Sequence, residues 1–160
     1  EKYNDTLRSQ MRKSLVDSLT SYENKGLYKD SVYQALVFNE YYRQHLCRLP
    51  EWPDPVLRAF KHVNDQIYVM MQGPSEFKTG GRLISWDVSK QLKDIKVPTL
   101  VEGAKYDTMD PKYMEWMSKQ LPKGKYLYCP NGSHLSMWDD HQVFMKGVIK
   151  FIKNVDEHDD

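Results

Sequence analysis

Apolar side chains recur at helical spacing through roughly the first ninety positions, where alternating strand patterns are almost absent. The pattern predicts three helices ahead of residue 74, separated by glycine, proline and capping residues. One apolar stripe marks the first helix: Leu7, Met11, Leu15 and Leu19. The third helix is predicted to start at Asp54 and Pro55 and to bury Met70 and Met71 near its end. Residues 75–93 are predicted to be irregular, with three packing anchors, Trp86, Val88 and Leu92.

The pattern changes at Ile95, where short apolar runs alternate with helical segments. Residues 97–101, ended by Gly103, are typical of a buried parallel strand, and residues 126–129 of a second one. A helix opened by Asp110 lies between them. A last helix is predicted to start near Asp139 and to bury Phe144, Val148, Phe151 and Ile152. Because two parallel strands form too narrow a sheet to be stable alone, either another polypeptide completes the sheet or the chain is the C-terminal part of a longer protein.

The balance of charges narrows the function classes. The chain of 160 residues has 23 basic and 22 acidic side chains and a formal net charge of +1, which argues against nucleic acid or an acidic membrane surface as the main partner. No apolar run approaches the ~18 residues of a membrane span, so a soluble protein is expected. The cytoplasm is the favoured compartment, although an export signal could lie upstream of Glu1. Cys47 and Cys129 are far apart and lack CxxC or His-rich neighbours, so neither a zinc site nor a disulfide framework is predicted. No cofactor and no metal ligand is predicted either.

Two polar side chains follow the predicted strands at the sheet edge where open α/β folds carry their sites, Asp107 after the first strand and His134 after the second. Adjacent parallel strands bring these loops side by side, so Asp107 is expected to accept a hydrogen bond from one ring nitrogen of His134, leaving the other nitrogen to act as a base. This pair is the acid and base of a Ser-Asp-His triad without its serine. The alternative is a turn-capping Asp beside a surface His. The other histidines are expected at the surface or as caps: His45, His62, His141 and His158.

Four motifs resemble, in the same order, those of the proline iminopeptidase family of α/β-hydrolase serine peptidases. They are residues 45–53 (HLCRLPEWP), residues 73–77 (GPSEF) followed by Trp86 and Asp87, residues 98–107 (PTLVEGAKYD) and residues 131–139 (NGSHLSMWD). The resemblance covers nearly the whole chain. It implies an α/β fold class, the C-terminal portion of an α/β-hydrolase fold. Residues 1–93 would form an all-helical cap domain, and residues 94–160 the last two parallel strands with their flanking helices.

The resemblance assigns Asp107 as the triad acid and His134 as the triad base. The nucleophile elbow of the family, Gly-x-Ser-x-Gly, lies ahead of the cap and does not occur in this sequence. We therefore expect this polypeptide alone to be inactive. The partner it requires is an N-terminal half with the nucleophilic serine, in the same gene product or as a second chain. An open sheet edge would also favour dimerisation.

The resemblance further implies a substrate class, short peptides with a free N-terminus and proline preferred. A cap glutamate of the family binds the α-ammonium group, and Glu76 has its place in residues 73–77; the alternative for Glu76 is a solvated loop charge. Thr108 stands where the family often has a second glutamate, which leaves open an amidase or esterase acting on amino acid amides or esters. Trp86, Trp138 and Phe77 are candidate walls of the substrate pocket, with plain packing as the alternative. The rival from another class is a non-catalytic α/β-hydrolase-like binding module.

Overall fold

Helices fill the first part of the computed structural model, which describes residues 2–157 and, at Lys2, the backbone alone. The α-helices ahead of the first strand are α1 (Lys2–Ser9), α2 (Lys13–Asn24), α3 (Ser31–Val37), α4 (Arg43–His45), α5 (Asp54–Lys61) and α6 (Asp65–Met71). A π-helical turn, Phe38–Tyr42, joins α3 to α4. Two 3₁₀ turns, Arg82–Ser85 and Ser89–Asp94, follow α6.

The first predicted helix is divided into α1 and α2 by a turn at residues 10–12. Arg12 has an extended backbone (φ −59°, ψ 131°), which interrupts the helical geometry. The turn lets Arg8 at the end of α1 donate a hydrogen bond to Glu23 in α2 at 2.9 Å. The prediction of one continuous helix is wrong because the apolar spacing continues through the turn, where half-buried Met11 packs on the same core.

The third predicted helix is divided as well, between α5 and α6. Asn64 caps α6, since its Oδ1 accepts a hydrogen bond from the Ile67 amide at 3.1 Å. Met70 is 43% exposed and Met71 is half-buried, so the prediction that both lie in a core is wrong. The helical spacing is real, but the apolar face of this pair of helices lies largely open in this chain.

The three predicted anchors between α6 and the sheet behave differently. Leu92 is buried within the second 3₁₀ turn and Val88 is half-buried. Trp86 is 65% exposed, so its prediction as a packing anchor is wrong. It follows the first 3₁₀ turn in an extended backbone conformation (φ −79°, ψ 121°).

A parallel two-stranded sheet forms in the C-terminal part of the chain, as the sequence predicts. Its elements in chain order are β1 (Thr99–Ala104), α7 (Pro111–Gln120), β2 (Gly124–Cys129), α8 (Ser136–Asp139) and α9 (His141–Asp156). The register pairs Thr99 with Gly124 and Ala104 with Cys129. Both strands therefore end at the same edge of the sheet.

Two details of this part differ from the sequence prediction. β1 continues through Gly103, where a Cβ atom would lie 2.6 Å from the Tyr126 hydroxyl and 3.1 Å from Met114 Cβ. Glycine is used there because β2 and α7 approach closely, and not because the strand ends. Ile152 is exposed and its predicted burial is wrong, since it shares an outward stripe of α9 with Met145 and Ile149. The other residues predicted to be inward on this helix, Phe144, Val148 and Phe151, are half-buried.

The chain separates into two compact units. The first comprises residues up to Gln44 together with Leu49–Trp86, and the second comprises His45–Arg48 and the residues from Asp87 onward. The cap boundary expected from the sequence, 1–93 against 94–160, stays a prediction. Glu1 and residues 158–160, including His158, lie outside the described residues.

The core of the first unit is a cluster of buried side chains from α1, α2, the α3 region and the loop after α6. Its members are Leu7, Leu15, Leu19, Tyr33, Val37, Tyr41 and Phe77. Cys47 and Cys129 are both thiols that form no disulfide, and both are fully buried, as expected for small apolar side chains. Across residues 2–157, no helix has the length and apolar character needed to cross a membrane.

Candidate active site

The candidate site lies where β1 and β2 end. Their parallel register places Ala104 beside Cys129, so the loops that follow leave the same edge of the sheet. The first loop carries Asp107 and the second carries His134. Two backbone bonds join the start of these loops: the Lys105 amide donates to the Cys129 carbonyl at 3.1 Å and the Tyr106 amide donates to the Gly132 carbonyl at 3.0 Å.

Asp107 and His134 are hydrogen-bonded, as the strand-end pattern predicts. His134 Nδ1 lies 2.9 Å from Asp107 Oδ1. An ionised carboxylate only accepts hydrogen bonds, so Nδ1 is the donor and the ring presents Nε2 as its basic nitrogen. The side chain of Asp107 is 6% exposed and that of His134 is 32% exposed. The arrangement is an oriented imidazole backed by a buried carboxylate.

The loop around Asp107 compensates the cost of burying its charge. Besides His134, Oδ1 accepts hydrogen bonds from the Met109 amide at 3.0 Å and from Thr108 Oγ1 at 3.2 Å. Hydrogen bonds to the charged form offset the desolvation that would otherwise destabilise a buried carboxylate. The Thr108 hydroxyl thus stabilises the Asp107 carboxylate within the same loop.

The loop that carries His134 is fixed by two carboxylates. Ser133 is fully buried, and its amide donates to Asp139 Oδ1 at 3.0 Å while its hydroxyl donates to Asp139 Oδ2. The Asn131 amide donates to Asp140 Oδ2 at 3.0 Å. A Cβ on Gly132 would lie 2.7 Å from the Ser136 side chain, so this position has room only for glycine. The sequence interpretation did not foresee the anchoring role of either aspartate.

Residues His45–Arg48 also belong to this site, although in sequence they lie between helices of the first unit. The His134 amide donates to the His45 carbonyl at 3.0 Å, and the Leu135 amide donates to the Leu46 carbonyl at 2.9 Å. His45 Nδ1 lies 2.8 Å from the Tyr106 carbonyl. The prediction that His45 is a surface or capping residue is therefore wrong. The position of His45 in the motif 45–53 was the only indication in the sequence that it could have a role at the site. The spacing of residues along the chain does not reveal such a long-range contact.

A half-buried carboxylate, Glu102, interacts electrostatically with both members of the pair. Glu102 on β1 accepts a hydrogen bond from Ser136 Oγ at 2.7 Å. Burial raises the pKa of Glu102. Burial and the neighbouring Glu102 raise the pKa of Cys129 to about 12, so this thiol remains protonated at neutral pH. The sequence interpretation assigned no role to Glu102.

Glu76 lies in the first unit and is half-buried. Its Oε1 accepts a hydrogen bond from the Tyr68 hydroxyl at 2.7 Å, and its Oε2 accepts one from Gln72 Nε2 at 3.3 Å. Burial, reinforced by the charge of Glu76, raises the pKa of Tyr42 to about 12. Glu76 is thus an oriented carboxylate within a polar cluster, which does not fit a fully solvated loop charge.

The predicted aromatic walls differ in exposure. Trp86, in the first unit, and Trp138, in the second unit on α8, are both exposed. Phe77, in contrast, is fully buried in the core of the first unit and serves packing. The roles of Trp86 and Trp138 in substrate binding stay predictions. Within the part of the chain that the structure describes, no group of three or more His, Cys, Asp or Glu residues is arranged to hold a metal ion.

Comparisons with known proteins point to one family. No protein-family model matches the chain. It is 54% identical over 157 residues to the proline iminopeptidase of Flavobacterium johnsoniae, covering 98% of this chain and 53% of that protein. The chain thus spans about half the length of the curated relatives it matches.

Two solved structures share the fold. The crystal structure of VinJ superimposes with a TM-score of 0.89 at 26% identity, over 96% of this chain and 52% of that one. The proline iminopeptidase of Mycobacterium smegmatis gives a TM-score of 0.84 at 25% identity, over 99% of this chain and 54% of that one. The fold is therefore a portion of an α/β hydrolase, as the sequence interpretation expects.

Proposed function

We propose that this chain, which belongs to the proline iminopeptidase family of α/β hydrolases, contributes the acid and the base of a serine hydrolase that releases N-terminal residues from short peptides. The observation that carries the proposal is the hydrogen bond of 2.9 Å between Asp107 and His134. The similarity to proline iminopeptidases over 98% of the chain supports the reaction class. The nucleophilic serine would be supplied by polypeptide outside residues 1–160.

The chemistry proposed for the pair is acyl transfer. His134 Nε2 would take the proton of the serine hydroxyl as its oxygen attacks the scissile carbonyl, and would then protonate the leaving amine. The same nitrogen would activate water to hydrolyse the acyl-enzyme. Asp107 would fix the tautomer through Nδ1 and stabilise the imidazolium that forms in each step.

Glu76 is our candidate for binding the free α-ammonium group of the substrate. Two hydrogen-bond donors, Tyr68 and Gln72, orient its carboxylate and leave lone pairs of both oxygens to accept further bonds. A charge-assisted hydrogen bond of this kind contributes roughly 1.5–3 kcal/mol. Trp86 and Trp138 are proposed to contact the side chain of the N-terminal residue.

Thr108 supports a second candidate, an amidase or esterase acting on amino acid amides or esters. It stands where a second carboxylate would strengthen binding of an amine, and its hydroxyl donates to Asp107 instead. Thr108 cannot neutralise an ammonium group. Under this alternative, a free N-terminal proline would not be strongly preferred.

A chimaera tests the proposal and separates the candidates. Residues 1–160 would replace the matching segment of the Flavobacterium johnsoniae relative, which is 54% identical. Release of the N-terminal residue would be followed for prolyl peptides, prolinamide and non-prolyl peptides. We expect hydrolysis of all prolyl substrates, with prolyl peptides cleaved fastest. Equal rates for non-prolyl peptides would contradict proline preference, and a folded chimaera without any hydrolysis would contradict the proposed function.

A further inference from the structure

We infer that His45 is a positioning residue for the pair Asp107 and His134, and that His45–Arg48 acts as a strap across the two loops that carry them. The inference rests on the proposed function and deepens it. It assigns a role to a residue that lies far from both partners in sequence and belongs to the second unit through its contacts.

The strap makes direct bonds to both loops. On one side, its carbonyls accept the amides of His134 (3.0 Å from His45) and Leu135 (2.9 Å from Leu46). On the other side, the His45 imidazole donates from Nδ1 to the carbonyl of Tyr106 at 2.8 Å. Tyr106 immediately precedes Asp107. One residue therefore holds the backbone of the base and the backbone next to the acid.

The rest of the strap reinforces this anchoring. The Arg48 amide donates to Asp139 Oδ2 at 2.9 Å, and Asp139 also binds the amide of Ser133. The Arg48 guanidinium lies over the Tyr106 ring, 3.6 Å from its centroid. Cys47, within the strap, is fully buried. The strap is thus bonded to the loop of His134 at several points and contacts Tyr106 at both of its ends.

The chemistry of His45 suits a neutral hydrogen-bond donor. A carbonyl is a pure acceptor, so Nδ1 carries the proton. Burial, with Arg48 adding to it, lowers the pKa of His45, and the Tyr106 carbonyl and Asp107 oppose this shift only in part. A neutral imidazole donates from Nδ1 without placing a further positive charge beside Arg48. This role differs from that of His134, whose Nδ1 is bound to a carboxylate.

Loss of the His45 side chain should loosen the loop of Asp107 while the backbone bonds to His134 remain. A misplacement of about 1 Å in a catalytic group costs up to about 100-fold in rate. We therefore expect His45→Leu to lower kcat by about 10- to 100-fold, with little change in KM. His45→Asn should restore most of kcat, because its amide nitrogen occupies nearly the position of Nδ1.

The test uses the chimaera and two readouts. The first is kcat per active site, normalised by titration with a slowly released acylating reagent, which separates altered chemistry from a reduced folded fraction. The second is the downfield ¹H NMR signal of the His134 Nδ1 proton, which reports its bond to Asp107 even without turnover. His141→Leu is the matched control, since His141 Nδ1 also bonds a backbone carbonyl, that of Met137 at 2.9 Å, but is exposed and holds neither loop.

The expected result is a lower kcat and a weakened or exchanging NMR signal in His45→Leu, with both restored in His45→Asn and unchanged in His141→Leu. A normal signal and unchanged kcat per site in His45→Leu would overturn the inference. If His45→Leu does not fold, His45→Gln replaces it. The amide of glutamine extends beyond the position of Nδ1, so this variant should show the same losses of kcat and of the NMR signal. Normal values in His45→Gln would also overturn the inference. A chimaera that lacks hydrolysis but shows the predicted NMR changes would refute the proposed function alone.

Discussion

At the scale of single residues, one oxygen atom organises the candidate site. Asp107 Oδ1 accepts hydrogen bonds from His134, Met109 and Thr108. The meeting of Asp107 and His134 could be predicted from the sequence because both follow strands, and parallel strands end at a common edge. The supporting bond of Thr108 could not be predicted, since a hydroxyl beside a carboxylate has many alternative partners.

Asp107→Asn should leave the loop in place but remove the charge that orients His134. We expect kcat for prolyl peptides to fall by about 10³- to 10⁴-fold, as happens when the acid of a triad no longer selects the right tautomer. Asp110→Asn is the control, because Asp110 belongs to the cap of α7, where its Oδ1 accepts a hydrogen bond from the Lys112 amide at 2.9 Å. A loss below tenfold in Asp107→Asn, measured in the chimaera, would remove it from the triad.

Tyr68→Phe tests the polar cluster around Glu76. The variant removes the bond of 2.7 Å that orients the carboxylate, so binding of the substrate ammonium should weaken. A hydrogen bond to a carboxylate contributes roughly 1.5–3 kcal/mol, and a loss of about 1 kcal/mol of this from ammonium binding corresponds to roughly a fivefold rise in KM with little change in kcat. N-acetylated substrates, which lack the ammonium, serve as the comparison. An unchanged KM for free-amine substrates would argue against Glu76 as the ammonium ligand.

At the scale of elements, periodicity located the helices better than it located their ends. The stripe from Leu7 to Leu19 continues through a turn because Met11 packs on the same core from a non-helical position. The strap His45–Arg48 was beyond prediction for a different reason: it forms through bonds to residues more than sixty positions away in sequence, such as Tyr106. Local patterns report which residues face a core, and not which distant loop they meet.

Gly103→Ala tests the close packing of β1, β2 and α7. The added Cβ would lie 2.6 Å from the Tyr126 hydroxyl, which itself donates to the Pro111 carbonyl at 2.8 Å. Overpacking of this kind lowers the free energy of unfolding by about 1–3 kcal/mol. Gly80→Ala is the control, since a Cβ there meets no atom within 4 Å. Urea unfolding of the chimaera measures both variants, and equal stability of the two would show that the packing around Gly103 accommodates a methyl group without cost.

At the scale of the whole molecule, the sheet described in this chain has two parallel strands, and the chain spans about half the length of its relatives. Both findings agree with the sequence prediction that the sheet needs further strands. The fold class could be predicted because four motifs occur in one order along the chain. The nucleophile could not be located, because no Gly-x-Ser-x-Gly pattern occurs in residues 1–160. The pair Asp107 and His134 has a catalytic meaning only together with such a serine.

The most direct measurement of the central claim is kcat of His134→Ala against the unsubstituted chimaera, with prolyl peptides as substrates. If His134 is the base, kcat should fall by several orders of magnitude, because both proton transfers lose their carrier. His62→Ala, a change at an exposed histidine, should leave kcat unchanged. A loss of less than tenfold in His134→Ala would contradict the account.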